Sequence, residues 1–218
     1  RCEKIAAYFD DAVLVADSRE YVTYTGYLDG EKVSVTSTGI GGPSASIAME
    51  ELVKSGADTF IRVGTCGGMQ KEVTAGSIVI ARAACREDGV TEKMLPLSYP
   101  AVADVDVIAA LEQSARDLNI NAHSGIILTQ ALFYPGLLES TVRLYMKAGV
   151  IAMENEAAGL LVAASLHGVK AGVVLAADAP AFELVGVEGY QPDEKMVAKA
   201  VEDEITIALD ALIQVPID

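Results

Sequence analysis

Residues 60–70, Phe60-Ile61-Arg62-Val63-Gly64-Thr65-Cys66-Gly67-Gly68-Met69-Gln70, set an apolar strand pattern with an arginine in its middle against a small, hydroxyl-bearing, glycine-rich stretch. Such a stretch reads as a turn at the carboxyl edge of a sheet, where backbone N–H groups and one fixed cation face the same ligand. The guanidinium stays protonated and meets phosphate oxygens two at a time. Thr65 adds a hydroxyl donor, and the glycines let backbone approach closely. These are the parts of an anion site. A surface arginine beside an ordinary turn is the competing reading of this stretch taken alone.

Strand and helix patterns alternate on both sides of it. Short strands are predicted at residues 12–15 and 21–28, and Leu28-Asp29-Gly30-Glu31 reads as a hairpin turn into a strand at 32–36, an antiparallel start to the sheet. Ser37-Thr38-Gly39-Ile40-Gly41-Gly42-Pro43-Ser44 follows, then a helical pattern over 44–54 closed by Ser55-Gly56. Its glycines are similar to a dinucleotide fingerprint, but Ser44 stands where the third glycine belongs, which weighs against a redox cofactor site. Further strands are predicted at 58–63, 76–83, 124–129, 149–153 and 170–177, with an irregular loop at 91–103. Asp104 is expected to cap a helix whose Val107, Ile108, Leu111, Ala115 and Leu118 recur at helical spacing.

Three places in this order carry chemistry. Phe133-Tyr134 beside Pro135-Gly136 reads as a packed turn or as one wall of a pocket for a flat ring. Glu154-Asn155-Glu156 precedes a helix at 157–167, where carboxylates serve as caps and dipole partners whether or not they also hold a ligand. Asp178 ends the most apolar strand, at the edge where α/β sheets bind ligands. Residues 182–192 read as a mobile loop and 193–214 as an amphipathic closing helix. The alternation predicts one α/β domain over 1–218: a mixed, mostly parallel twisted sheet flanked by helices.

Composition narrows the function classes. The 218 residues are 51% hydrophobic, enough for one large core with apolar surface left for self-association. A net charge of -15 argues against a broad face for phosphate backbones, so nucleic acid is not an expected partner. Cys2, Cys66 and Cys85, with His123 and His167, fit no metal spacing and no disulfide framework, so a metal-free site and a reducing, cytoplasmic setting are expected. No apolar run nears the ~20 residues of a membrane helix, and no signal-peptide pattern is visible. The chain starts at Arg1 without a methionine, so a further amino-terminal segment is expected.

Four blocks together resemble the nucleoside phosphorylases of the hexameric type, which include uridine phosphorylase and one branch of the purine nucleoside phosphorylases. They are Ser37-Thr38-Gly39-Ile40-Gly41-Gly42-Pro43-Ser44, Arg62-Val63-Gly64-Thr65-Cys66-Gly67, Phe133-Tyr134-Pro135-Gly136 and Met153-Glu154-Asn155-Glu156-Ala157-Ala158, in the family's order and over nearly the whole chain. The resemblance implies phosphorolysis: inorganic phosphate attacks the anomeric carbon of a nucleoside through an oxocarbenium-like transition state, giving ribose 1-phosphate and free base. No cofactor is implied beyond phosphate as co-substrate. The implied assembly is a homo-oligomer, with a dimer as the smallest active unit and a hexamer expected.

By position, Arg62 and Thr65 look like the phosphate ligands, joined by Arg1 and by Arg19 lent across a dimer interface. Glu156 matches the glutamate that holds the ribose hydroxyls, and Asn155 stands where the family usually has methionine under the sugar. Phe133 resembles the aromatic that stacks on the nucleoside, with Cys66 and Gly67 on the base side. Asp178 matches the aspartate that protonates N7 of a leaving purine, which requires a raised pKa. Leu137 and Glu139 stand where uridine phosphorylases carry the glutamine and arginine that read uracil. A purine nucleoside is therefore the favoured substrate and uridine the runner-up. Nucleosidases share this fold but use water, and Arg62 with Arg19 argues for phosphate instead. A non-catalytic nucleoside sensor and a redox enzyme using the Gly39 loop are the readings from other classes. Glu154, Arg86 and the histidines read as structural.

Overall fold

A computed structural model describes residues 1–181, 184, 186, 188, 189 and 194–216; most of the loop read at 182–192 lies outside the described residues. After a short helix α1 (Cys2–Ala6), strands β1 (Asp10–Ser18), β2 (Tyr21–Leu28) and β3 (Glu31–Thr36) ladder antiparallel in that order. Asp29 and Gly30, both at positive φ, form the expected two-residue turn. The hairpin pattern predicts the start of the main sheet, but these strands form a sheet of their own. Their ladder bonds close among themselves, and they join the rest by packing, with Ile5, Phe9 and Val33 buried in a core shared with later elements.

The second sheet holds β4 (Thr59–Gly68), β5 (Ile78–Glu87), β6 (Ala101–Val102), β7 (Ala122–Gln130), β8 (Ala152–Glu154) and β9 (Lys170–Pro180), in the order β6-β5-β7-β8-β4-β9. A further pairing of β5 with β9 closes five of them into a ring. The long ladders β4–β9 and β5–β7 are parallel, as is β7–β8. The expected mixed, mostly parallel sheet is therefore present, closed on itself instead of open-edged. Helix α2 (Gly42–Lys54) and helix α6 (Ala157–His167) pack on one side of it. Helices α4 (Val105–Asp117) and α7 (Glu194–Gln214) pack on the other, and the short α3 (Thr91–Met94) and α5 (Val142–Lys147) lie in the connections. Asp104 caps α4 as predicted, its carboxylate accepting from the N–H groups of Asp106 at 2.9 Å and Val107 at 3.3 Å. Helix α6 is apolar all round, and Ala157 to Ala164 are all buried. Among the described residues, no helix is long and apolar enough to cross a membrane.

A second reading is corrected as well. The glycine-rich segment after Arg62 is not a turn: β4 runs on to Gly68, with Gly67 and Gly68 paired to Met153 and Ala152 on one side and to Ala179 and Pro180 on the other. A bulge after Cys66 shifts the register. The glycines serve close approach, since a Cβ on Gly68 would lie 1.9 Å from the backbone oxygen of Val73. Gly68→Ala should therefore cost about 3 kcal/mol by urea unfolding. Gly136→Ala, whose Cβ would meet only Leu132 Cδ1 at 3.5 Å, should be nearly neutral.

Helix α7 carries an unusual group, Glu204, fully buried with neither carboxyl oxygen hydrogen-bonded. Burial pushes its pKa from 4.5 up to about 8, against the pull of Arg1, the backbones of Ala176 and Gly64, and Arg62. The Ala176 and Gly64 backbones favour the charged form without meeting hydrogen-bond geometry. The folded state thus holds this proton more tightly than the unfolded state, so the group's contribution to stability is complete below about pH 4.5 and is lost as pH rises through about 8. In thermal melts over that interval, Glu204→Gln should flatten part of the decline seen in the wild type; an unchanged profile would refute the assignment.

Candidate active site

The strands β4 and β9 run one way, and β5, β7 and β8 the other. Strand β4 meets β8 antiparallel over only two residue pairs, Gly67 with Met153 and Gly68 with Ala152. Four carboxyl ends, those of β4, β7, β8 and β9, converge on one seam, and a cleft opens there. Its walls are Thr65, Cys66 and Gly67 of β4, Gln130 at the end of β7, Met153 and Glu154 of β8, and Asp178 and Pro180 of β9. Phe133, Asn155 and Ala181 complete it.

Arg62 lies beneath this cleft, and its guanidinium is folded forward over Gly64, where a Cβ would come within 2.9 Å of Cζ and both Nη atoms. Nε and Nη2 contact Glu154 Oε2 at 3.1 and 3.0 Å, and Nη2 also donates to Glu156 Oε2. Among the described residues, Nη1 has no partner. The second oxygen of Glu156 accepts the Gly41 N–H, so the glycine loop at 37–44 serves a protein carboxylate. Burial raises the Glu156 pKa; the Glu154 carboxylate adds to the rise, while Arg62, the Gly41 N–H and the Asn155 backbone oppose it.

Glu154 does two jobs. Its Oε2 accepts the N–H groups of Glu156 at 2.7 Å and Ala157 at 2.8 Å, capping α6, and its Oε1 accepts from the Thr129 hydroxyl at 2.6 Å. Thr129 Oγ1 in turn accepts the Ala158 N–H at 2.9 Å. The structural reading of Glu154 thus holds, yet the same carboxylate lines the cleft and holds Arg62.

Of the residues singled out from sequence, Thr65, Cys66, Gly67, Phe133, Asn155 and Asp178 line the cleft, and Arg62 with Glu156 forms the charged group below it. Asn155 donates from Nδ2 to the Gln130 carbonyl at 2.6 Å, tying the end of β7 to the start of α6. Burial pushes the Cys66 thiol well above its ordinary value, with the charge of Asp178 the next contribution, so Cys66 is a neutral wall. Arg1 and Arg19 are not part of this lining. Arg1 Nε lies 3.2 Å from Glu204 Oε1, and Arg19 sits exposed at positive φ in the turn between β1 and β2. Leu137 and Glu139 are exposed and outside the cleft. Arg86 is structural, donating to the carbonyls of Thr91, Leu95, Pro96 and Tyr99 and so holding the loop after β5. His167 meets Glu50 at 2.9 Å on the surface. Sequence reasoning missed Thr129, Gln130 and the Gly41–Glu156 contact. Strand-end position was the only signal for the first two, and the third joins residues too far apart in the chain to show one.

The chain matches the family model described as the phosphorylase superfamily over residues 1–214. It is 43% identical over 185 residues to a uridine phosphorylase of Treponema pallidum (80% of this chain, 72% of the relative). It is 36% identical over 217 residues to a guanosine phosphorylase of Halorubrum lacusprofundi (97% of this chain, 88% of the relative). Among solved structures, a purine nucleoside phosphorylase from Toxoplasma gondii in complex with immucillin-H superposes with a TM-score of 0.91 at 32% identity, covering 97% of this chain and 85% of that one. The chain belongs to the phosphorylase superfamily.

The fit of Arg62 over Gly64 is testable. Gly64→Ala crowds only the far end of a side chain, so it should unfold within about 1 kcal/mol of the wild type while turnover falls on the order of tenfold or more. Unchanged turnover would mean that the guanidinium need not lie where it does.

Proposed function

We propose that the protein catalyses phosphorolysis of nucleosides, purine nucleosides foremost. The observation that carries this reading is the Arg62–Glu154–Glu156 group beneath a cleft walled by Thr65 and Asp178. A phosphate oxygen forms a bond to the anomeric carbon as the glycosidic C–N bond breaks, and the base leaves with that electron pair. Arg62, through its unengaged Nη1, and Thr65 hold the phosphate, with Arg1 as a further ligand. Glu156 accepts from the ribose hydroxyls, and its negative charge becomes more favourable as cation character develops on the sugar. Asn155 lies beneath the sugar, Phe133 stacks on the base beside Cys66 and Gly67, and Asp178 delivers a proton to N7 of the departing purine. Inorganic phosphate is the co-substrate, no other cofactor takes part, and the setting is cytoplasmic.

Purine is supported by Asp178 in the cleft wall and by the exposure of Leu137 and Glu139, which leaves the positions of the family's uracil-reading pair outside the cleft. The uridine reading has its own support in the relatives named uridine phosphorylase, such as that of Treponema pallidum. A second copy of this chain is the proposed partner, in a dimer that assembles further into a hexamer. Val13, Leu14 and Val15 of β1 are each more than half exposed, beside the turn that carries Arg19, as expected of a surface that another subunit covers and whose arginine reaches that subunit's phosphate.

The deciding experiment follows release of free base from inosine, guanosine, adenosine and uridine by the full-length protein, with and without phosphate. Phosphate-dependent cleavage of the purine nucleosides is expected, falling about 10²-fold or more in Asp178→Ala. Cleavage of uridine alone would make Asp178 structural and favour the runner-up, and cleavage without phosphate would point to hydrolysis.

A further inference from the structure

Glu204 is buried where an apolar side chain would cost nothing in desolvation. An ionisable group held in a core without a hydrogen bond lowers stability, so its presence calls for a role elsewhere. What it touches is Arg1. The contact is an ion pair, Nε to Oε1 at 3.2 Å and outside hydrogen-bond geometry, and among the described residues no hydrogen bond engages the Nη1 and Nη2 atoms. A guanidinium held by Nε keeps its outer Nη pair free for two parallel hydrogen bonds to an oxyanion. The charge of Arg62 also reaches Glu204, so this one carboxyl group feels both cations of the proposed phosphate site.

We propose that Glu204 is a positioning residue for phosphate: its carboxyl group seats Arg1 by the Nε edge and so aims the outer pair of nitrogens at the anion. This rests on the phosphorolysis reading. The seat is an oxygen close to Nε, outside hydrogen-bond geometry, and that oxygen is present whether the group is protonated or ionised. The raised pKa fits a seat that works without full charge. An arginine has a long, flexible stem, and ordering it in advance spares phosphate that cost on binding.

The test is calorimetric titration of the full-length protein with inorganic phosphate, combined with initial rates. Glu204→Met removes the oxygen beside Nε and should weaken phosphate binding on the order of tenfold. Its KM for phosphate should rise alike, with KM for the nucleoside little changed. Glu204→Gln keeps a polar oxygen that can lie beside Nε and should retain near-wild-type affinity, and neither variant should melt below the wild type at pH 8. Arg1→Gln should lose phosphate affinity as Glu204→Met does, and the double variant should be no worse than either single one. Normal phosphate affinity in Glu204→Met would overturn the proposal, as would equal losses in Met and Gln or a lower melting temperature with affinity unchanged. Failure of the wild type to bind phosphate would remove the phosphorolysis reading and this proposal together, and is distinguishable because it needs no variant.

Discussion

The buried contact of Arg62 with Glu154 and Glu156 is the interaction on which the rest of the site depends. One cation faces two carboxylates in a low-dielectric seam, an arrangement that survives only where the remaining lone pairs are satisfied. Thr129, the Gly41 N–H and the first N–H groups of α6 satisfy them. The same bonds therefore hold helix to strand and glycine loop to helix. A local change in any of these parts is felt at the guanidinium.

The closed ring explains why that group can sit where it does. Two sets of strands running in opposite directions overlap at β4 and β8 by two residue pairs, so carboxyl ends from both sets reach the same seam. Gly67 and Gly68 let the backbones pass closely there, and Gly64 leaves room for the Arg62 head group. These glycines work through the volume they leave empty. Helix α6 then presents its capped amino terminus to the seam, with its apolar body sunk in the core between α2 and the sheet.

Negative charge is unevenly placed in this chain. The surface carries most of it, but Glu154 and Glu156 are buried around Arg62, while Glu204, buried beside Arg1, holds its proton up to about pH 8. The two carboxylates that contact Arg62 orient its guanidinium and balance its charge.

Much of the site was legible in order along the chain. The strand carrying Arg62, the Asp104 cap, the hairpin at Asp29-Gly30 and the helix after Glu156 follow from periodicity and local capping chemistry, which act within a few residues. Thr65, Phe133, Asn155 and Asp178 were visible as polar or aromatic residues at strand ends and in motif blocks. The separate first sheet, the closure of β5 on β9, the extension of β4 through its glycines and the seat of Arg1 on Glu204 were not. Each depends on which backbones come together across the molecule, and neither the hydropathy of a segment nor its turn residues encode that. Sequence by itself determined the longer strands and helices, the family resemblance and the chemical groups at hand; only the tertiary structure decided which carboxylate faces which arginine, because such pairing is made between residues as far apart as Arg62 and Glu156, or Arg1 and Glu204.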